Sequence, residues 1–406
     1  MNIIDIIDKK RLNKLLTYEE MKFAFIGYLN KLIPDYQMSS LLMAICINGL
    51  SDEETLNLMD IFLNSGEVFD LSEISCESAD KHSTGGIGDK VSLVLVPLLA
   101  SIGITVPKMS GRGLGITGGT IDKLESIPGF RVDLSKDEIY DNLRKNKCVI
   151  VSQNKSLVPL DKVIYNLRDV SGTVASIPLI AVSILSKKIA CGANNILIDL
   201  KYGSGAFMKN INEANELSRL MKLIGDKYNK NIIIEKSEMN TPSGRYIGNA
   251  LEVYEAILIL KGEKNPLTNH ILSISSRIAG SVLEIDENIA YKMLEDNLQK
   301  GVAYSKFKDM VLSQGGDLNK FKISANSYEI KSDVEGKIKN INALIIGEFC
   351  LQLGAGKEKI DDVIDLNAGI KLEKLVGDDV KIGDTLAIIY YNKAIDFNLI
   401  RKAFEF

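Results

Sequence analysis

Hydrophobic and polar positions along the chain change their rhythm several times, and each change predicts a kind of element. Residues 1 to about 68 read as helical. A capping box from Thr17 to Glu20 opens a run from Met21 to Ile26, and Pro34 closes that segment. Met38 to Ile47 is apolar almost throughout and ends at Gly49; a second box, Ser51 to Glu54, opens Leu56 to Leu63 before Gly66. The expectation is a helical layer with one strongly apolar face, turned to a core or to a second subunit. Residues 91–106 form an apolar run that predicts a buried segment. A helix led by Ser135 runs to about Lys147, and Val149 to Val151 reads as a short buried strand. Ser171 to Val174 resembles a helix start, with a largely apolar helix from Pro178 to Lys187. Ser183 and Lys187, four apart, then share one helical face. Strand 196–201, helix 213–228 and strand 232–234 alternate in the manner of an α/β sheet, mixed or parallel. From about residue 330 the pattern becomes short strands with Gly-Asp turns, at 334–338 and 377–386, predicting a small α+β domain.

Composition narrows the function classes. At 406 residues the chain has length for two or three domains, and 46% hydrophobic with 25% charged residues is ordinary for a globular protein. Lys and Arg number 49 against 53 Asp and Glu, a net charge of −4, with no long basic run. Nucleic acid is therefore not an expected partner, and an anionic ligand has to be drawn by a local site. The N-terminus reads as no signal peptide and no run reaches the length of a membrane span, so a cytoplasmic protein is expected. Five scattered cysteines without CxxC spacing, beside only His82 and His270, argue for free thiols rather than zinc.

Two glycine-rich loops carry the chemistry. The first, Lys81-His82-Ser83-Thr84-Gly85-Gly86-Ile87-Gly88-Asp89, joins a cation, an imidazole and two hydroxyls to three glycines. The second, Ser110 to Thr120, adds five glycines and three hydroxyls in eleven residues. Glycines admit positive φ and close approach to a ligand, and successive N–H groups in such turns form anion-binding concavities. Neither loop is a Walker A loop or a dinucleotide fingerprint, which disfavours ATP hydrolysis and NAD binding. Apart from any family, Ser183 would only bond within its helix and Lys187-Lys188 would be a solvated last turn.

The segments KHSTGGxGD and SGRGLGxTGGTxDKLE, unbroken here from Ser110 to Glu125, resemble the signature of the thymidine/pyrimidine-nucleoside phosphorylase family. Tyr165 to Asp169, followed by the SxxSKK pattern from Ser183, is similar to that family's base-binding segment. The resemblance implies a helical domain plus a larger mixed-sheet α/β domain with a small C-terminal α+β domain, and a cleft between lobes that closes to exclude water. The expected boundaries are 1–67 with 160–192 for the helical domain of dimerisation and base binding, 70–155 with 195–330 for the phosphate-binding α/β domain, and 331–406 for the last. Connections near 66–80, 152–160 and 190–195 are the expected hinges. The C-terminal strands also resemble half of a biotinyl/lipoyl-like barrel, without the acceptor motif, so lipoylation is not implied.

By the same resemblance Lys81, Ser83, Ser92, Lys108, Ser110 and Thr120 form the phosphate cradle. His82, Arg168, Ser183 and Lys187 form the catalytic, base-side set, with Arg168, Ser183 and Lys187 binding the pyrimidine. Inorganic phosphate is the co-substrate, no organic cofactor is implied, and a K+ ion is expected at Gly88, Lys90, Ser243, Tyr246 and Glu255, where Ser243 and Arg245 depart from the usual pattern. Ile116 stands where many relatives have His, so that position offers no hydrogen bond to sugar or base. The implied activity is reversible phosphorolysis of uridine, thymidine and deoxyuridine by a homodimer; Lys108-Met109 leans toward the broad pyrimidine enzymes rather than the thymidine-restricted ones. An anthranilate phosphoribosyltransferase-like enzyme and a non-catalytic nucleoside-binding protein are the alternatives. The first needs acidic Mg²⁺-binding pairs; the second has no need of the leaving-group set.

Overall fold

The computed structural model describes residues 1–113, 116, 118–153, 156–357, 362–393 and 395–406. Four helices come first: α1 (Ile3–Arg11), α2 (Tyr18–Leu29), α3 (Asp35–Asn48) and α4 (Asp52–Leu63). They are followed by β1 (Ala79–Ser83), α5 (Val91–Ala100), β2 (Val106–Met109), α6 (Thr120–Glu125), α7 (Lys136–Asn146) and β3 (Cys148–Val151). Next come α8 (Pro159–Ser171), α9 (Ile177–Ala190), β4 (Asn195–Tyr202), α10 (Ile211–Lys227), β5 (Asn231–Glu238) and β6 (Tyr246–Ile247). The chain continues with α11 (Asn249–Leu260), α12 (Thr268–Leu283), α13 (Glu287–Gln299), α14 (Val302–Ser313), β7 (Asn326–Lys331), β8 (Gly336–Lys337) and β9 (Asn340–Ile341). It closes with α15 (Ala343–Gln352), β10 (Gly369–Leu372), β11 (Asp379–Val380), β12 (Thr385–Tyr391), a 3₁₀ turn (Phe397–Ala403) and β13 (Phe404–Glu405).

These elements form two units, one of residues 1–76, 153–196 and 211–234, the other of 77–152, 197–210 and 235–406. The first is a helix bundle. Thr17/Glu20 and Ser51/Glu54 form the two capping boxes read from the sequence. Glu54 does more than cap: its buried carboxylate also accepts from Lys10 Nζ at 2.9 Å and from the Leu16 N–H at 2.9 Å. Phe25 and Phe62 meet edge-on at 5.8 Å between centroids, amid buried Met21, Met38, Leu41 and Leu58. Residues 211–234, assigned from the sequence to the α/β domain, join this bundle because α10 packs on α4 and α9, with Arg219 paired to Asp52 and Tyr228 bonded to Asp60. Ser171 to Val174 starts no helix: Ser171 is the last residue of α8, Gly172 closes it at φ +69°, and the next helix is led by Ser176.

In the second unit β2 and β3 pair in parallel, and backbone bonds from Ala79 N to Thr105 O and Thr105 N to Glu77 O join them to the sheet ordered β1-β4-β5. The apolar run at 91–106 forms α5, which is buried at every position, as its lack of a polar face requires. It packs against α11, α12 and α14. An antiparallel sheet ordered β6-β10-β12-β7 carries the C-terminal part, with Ile370 set between Ile247 and Ile389. Its core joins Ile338, Ile346, Phe349, Leu386 and Phe404. The C-terminal segment thus shares strand β6 with the chain before α11 and belongs to the same unit.

Candidate active site

The phosphate-side residues gather in the α/β unit. Strand β1 ends in Lys81, His82 and Ser83. The Lys81 ammonium is fully buried, 3.1 Å from Asp199 Oδ2 on β4 and 3.7 Å from Asp89 Oδ2, yet donates no hydrogen bond. Lys201 Nζ pairs with the other Asp199 oxygen at 2.8 Å, and Ser237 Oγ donates to the same oxygen at 2.9 Å. Burial pushes the Asp89 and Asp199 carboxyls up, but Lys81 and Lys201 outweigh it and hold both below the usual range; Lys123 adds to this at Asp89. Two carboxylates thus face two ammonium groups, and Lys81 is the one whose N–H donors stay unmatched.

Past Ser83, whose Oγ accepts the Gly85 N–H at 3.2 Å, Gly88 turns the chain at φ +75°. Asp89 Oδ1 accepts the Val91 N–H at 3.2 Å and so starts α5, placing nearly buried Ser92 in its first turn. Lys108 is buried on β2, with Nζ 3.3 Å from the Met109 carbonyl, and Ser110 N bonds Val151 O at 2.9 Å. Thr120 is the first residue of α6.

The acidic segment after the second loop is what holds that loop shut. Asp122 Oδ2 accepts from the Gly113 N–H at 2.6 Å and from the Gly119 N–H at 2.9 Å, while Arg112 bonds Glu125. A Cβ on Gly119 would lie 2.4 Å from Gly113 N, so only glycine allows this crossing of the backbone. Lys123 then donates to the Asp89 carbonyl at 2.7 Å and pairs with Glu252 at 2.8 Å. One lysine therefore fastens the second glycine loop to the first. Leu114, Gly115 and Thr117 of the second loop lie outside the described residues. Ile116 packs against the C-terminal apolar core, with its Cδ1 near Gly347.

Three of the base-side residues, Arg168, Ser183 and Lys187, gather in the helical unit on α8 and α9, whereas His82 lies on β1 of the α/β unit. Lys187 Nζ donates to Ser183 Oγ at 3.0 Å and to Asp161, so the pair does share one face. Tyr165 lies between two cations, 5.8 Å from the Arg168 guanidinium and 5.9 Å from Lys187 Nζ. Arg168, 1% exposed, donates to the carbonyls of Thr173 at 3.2 Å, Val174 at 2.7 Å and Leu179 at 3.2 Å. It closes the turn between α8 and α9 and keeps two of its five N–H donors. Burial lowers the pKa of both Arg168 and Lys187, and for Lys187 it outweighs the raising effect of Asp161. A depression of about 450 Å³ on the α/β unit is lined by Lys201, Ser237 and His270 and by none of the expected phosphate ligands.

The chain matches the models described as glycosyl transferase family, helical bundle domain, over residues 4–66, and glycosyl transferase family, a/b domain, over 75–304. Residues 337–405 match the pyrimidine nucleoside phosphorylase C-terminal domain. It is 46% identical to the pyrimidine-nucleoside phosphorylase of Staphylococcus epidermidis, over 98% of this chain and 94% of that protein. It is 45% identical to those of Geobacillus stearothermophilus and Bacillus subtilis, over 100% of this chain and 95% of each. The chain belongs to the pyrimidine-nucleoside phosphorylase family. Among solved structures, anthranilate phosphoribosyltransferase from Thermus thermophilus matches with a TM-score of 0.62 at 15% identity, covering 76% of this chain and 98% of that one. That likeness is one of fold.

The cation site expected from this family has a different centre. Lys90 Nζ donates to the carbonyls of Ser243 and Tyr246, each at 2.8 Å, and to Glu255 Oε2 at 2.6 Å. Gly88 lies against them, since a Cβ there would come 2.6 Å from Ser243 O. The five residues do come together, but around the chain's own ammonium; they do not fit a further cation. Sequence reasoning missed the carboxylates: Asp161, Asp199 and Asp122. Asp122 stands inside the quoted signature, whereas Asp161 and Asp199 are joined to their lysines only by the fold.

Proposed function

We propose that the protein catalyses the reversible phosphorolysis of pyrimidine nucleosides, taking uridine, thymidine and deoxyuridine to free base and (deoxy)ribose 1-phosphate. The observation that carries this reading is the chemistry of the two residue sets, in a chain about 45% identical over its length to proteins named for that activity. A phosphate oxygen attacks the anomeric carbon, the C–N bond breaks, and its electron pair leaves on the base. Lys81, Ser83, Ser92, Lys108, Ser110 and Thr120 hold the phosphate. Lys187 and the free donors of Arg168 stabilise the charge that grows on the pyrimidine, Ser183 orients the ring edge, and His82 donates to the base oxygen. Orienting the two reactants contributes on the order of 7–11 kcal/mol, and cations aimed at the departing base add several more.

The protein acts as a homodimer through its helical unit. Leu32, Tyr36 and Ile47 on and beside α3 are 79%, 72% and 75% exposed, an apolar face that a second copy would cover. Five free cysteines, three of them buried, support a reducing cytoplasm. The test is phosphate-dependent base release from uridine, deoxyuridine and thymidine, followed by absorbance. Comparable turnover of all three is the expected result. Thymidine alone would restrict the substrate range, and no release from any, with Lys187→Ala indistinguishable from wild type, would overturn the reading.

A further inference from the structure

We infer that the Lys90 ammonium is a built-in substitute for a bound monovalent cation, so that this protein folds and works independently of K+ and Na+. The inference rests on a closed hydrogen-bond account. An ammonium has three N–H donors, and Lys90 has three acceptors within 2.8 Å: Ser243 O, Tyr246 O and Glu255 Oε2. Both charged groups are fully buried, so solvent does not compete for either.

The Glu255 carboxylate is equally complete. Oε1 accepts from the Arg245 N–H at 2.9 Å and Asn265 Nδ2 at 2.8 Å, and Oε2 from Lys90 and the Tyr246 N–H at 3.0 Å. That fills the roughly four acceptor positions of a carboxylate. The cage has no room to spare: a Cβ on Gly244 would stand 2.8 Å from Glu255 Oε2. A metal ion entering here would displace the ammonium or sit beside it with like charge and a carboxylate already filled.

The position gives the ammonium a task. Lys90 is the N-cap residue of α5, directly after Asp89 and two residues before Ser92. Tyr246 lies on β6 and Glu255 on α11. With Ser243 N bonded to Ile87 O at 2.9 Å, the ammonium clamps the end of the first glycine loop to the 243–247 segment. A side chain makes that clamp permanent, whereas a dissolved ion would make it depend on salt.

The test compares thermal melting in KCl and in tetramethylammonium chloride at constant ionic strength. Wild type is expected to melt at the same temperature in both. Lys90→Ala is expected to melt lower in tetramethylammonium and to recover, saturably, with added K+ or NH4+, because the emptied cage then takes an ion. If Lys90→Ala does not fold, Lys90→Ser, whose short side chain also empties the cage, takes its place. A saturable K+-specific rise in the wild-type melting temperature would overturn the inference; so would a variant that no cation restores. A parallel arm, which rests on the phosphorolysis reading, compares kcat/KM in the two salts: a ratio near one is expected, and a tenfold gain with K+ contradicts it. Absence of phosphorolysis in either salt would reject that functional reading while the melting arm still decides the role of Lys90.

Discussion

At the scale of single residues, Lys187 draws its properties from Asp161 and from burial. It is an ammonium of 20% side-chain exposure against a carboxylate of 2%. Removing the cation strands a buried charge, which costs on the order of 2–3 kcal/mol. Lys187→Met should therefore lose both activity and stability, whereas Lys187→Met with Asp161→Asn should regain most of the melting temperature and none of the activity. A thermal melt and a base-release assay on the three proteins check this. Burial sets the pKa of Lys187 below the ordinary lysine value of 10.5. A cation that must be charged to accept the departing base loses function as pH rises through that lowered value. The alkaline limb of kcat/KM should thus fall earlier than for an ordinary lysine, and Lys187→Arg, which keeps its charge, should move the limb upward. Uridine titrates in the same region, so the comparison is between variants on one substrate.

At the scale of elements, the second glycine loop is held by Asp122 from α6 and by a backbone crossing that admits only Gly119. Gly119→Ala should force the strands of that crossing apart. Misplacement of about an ångström costs roughly 100-fold in rate, so kcat/KM for phosphate should fall by that order, and the melting temperature should fall with it because the clash is with backbone. Some helix starts were legible: Thr17 and Ser51 form the boxes their spacing predicts and Ser135 leads α7, whereas Asn2, Asp286 and Asn342 cap helices that no such signal had marked. Ser171 misled because Ser-Gly-Thr also suits a helix end, and Gly172 in the left-handed region closes α8 instead. The loops, their hydroxyls and the Ser183/Lys187 pair were legible because the signal is local. Asp161 and Asp199 were not, since they lie 26 residues from Lys187 and 118 from Lys81 (199 − 81) and meet them only through helix and strand packing. The cation set was legible as a set; that Lys90 supplies the charge itself needed side-chain geometry.

At the scale of the molecule, the expected site residues are divided between the units, the phosphate side and His82 in 77–152 and Arg168, Ser183 and Lys187 in 153–196. The chain passes between units at 76–77, 152–153, 196–197, 210–211 and 234–235; the first two lie inside connecting segments expected from the sequence and the third beside one. The helical unit also exposes Leu32, Tyr36 and Ile47. Light scattering should give twice the chain mass for wild type, and Ile47→Glu should shift it toward one chain, with a wild-type monomer contradicting the dimer. Phosphorolysis makes a bond between phosphate and sugar. The most direct measurement is ³¹P NMR of the protein with uridine and inorganic phosphate, beside absorbance for uracil. A sugar-1-phosphate resonance should grow in step with uracil, saturable in phosphate and lost in Lys81→Ala. Uracil release that continues without phosphate, or phosphate that stays inorganic, would contradict phosphorolysis.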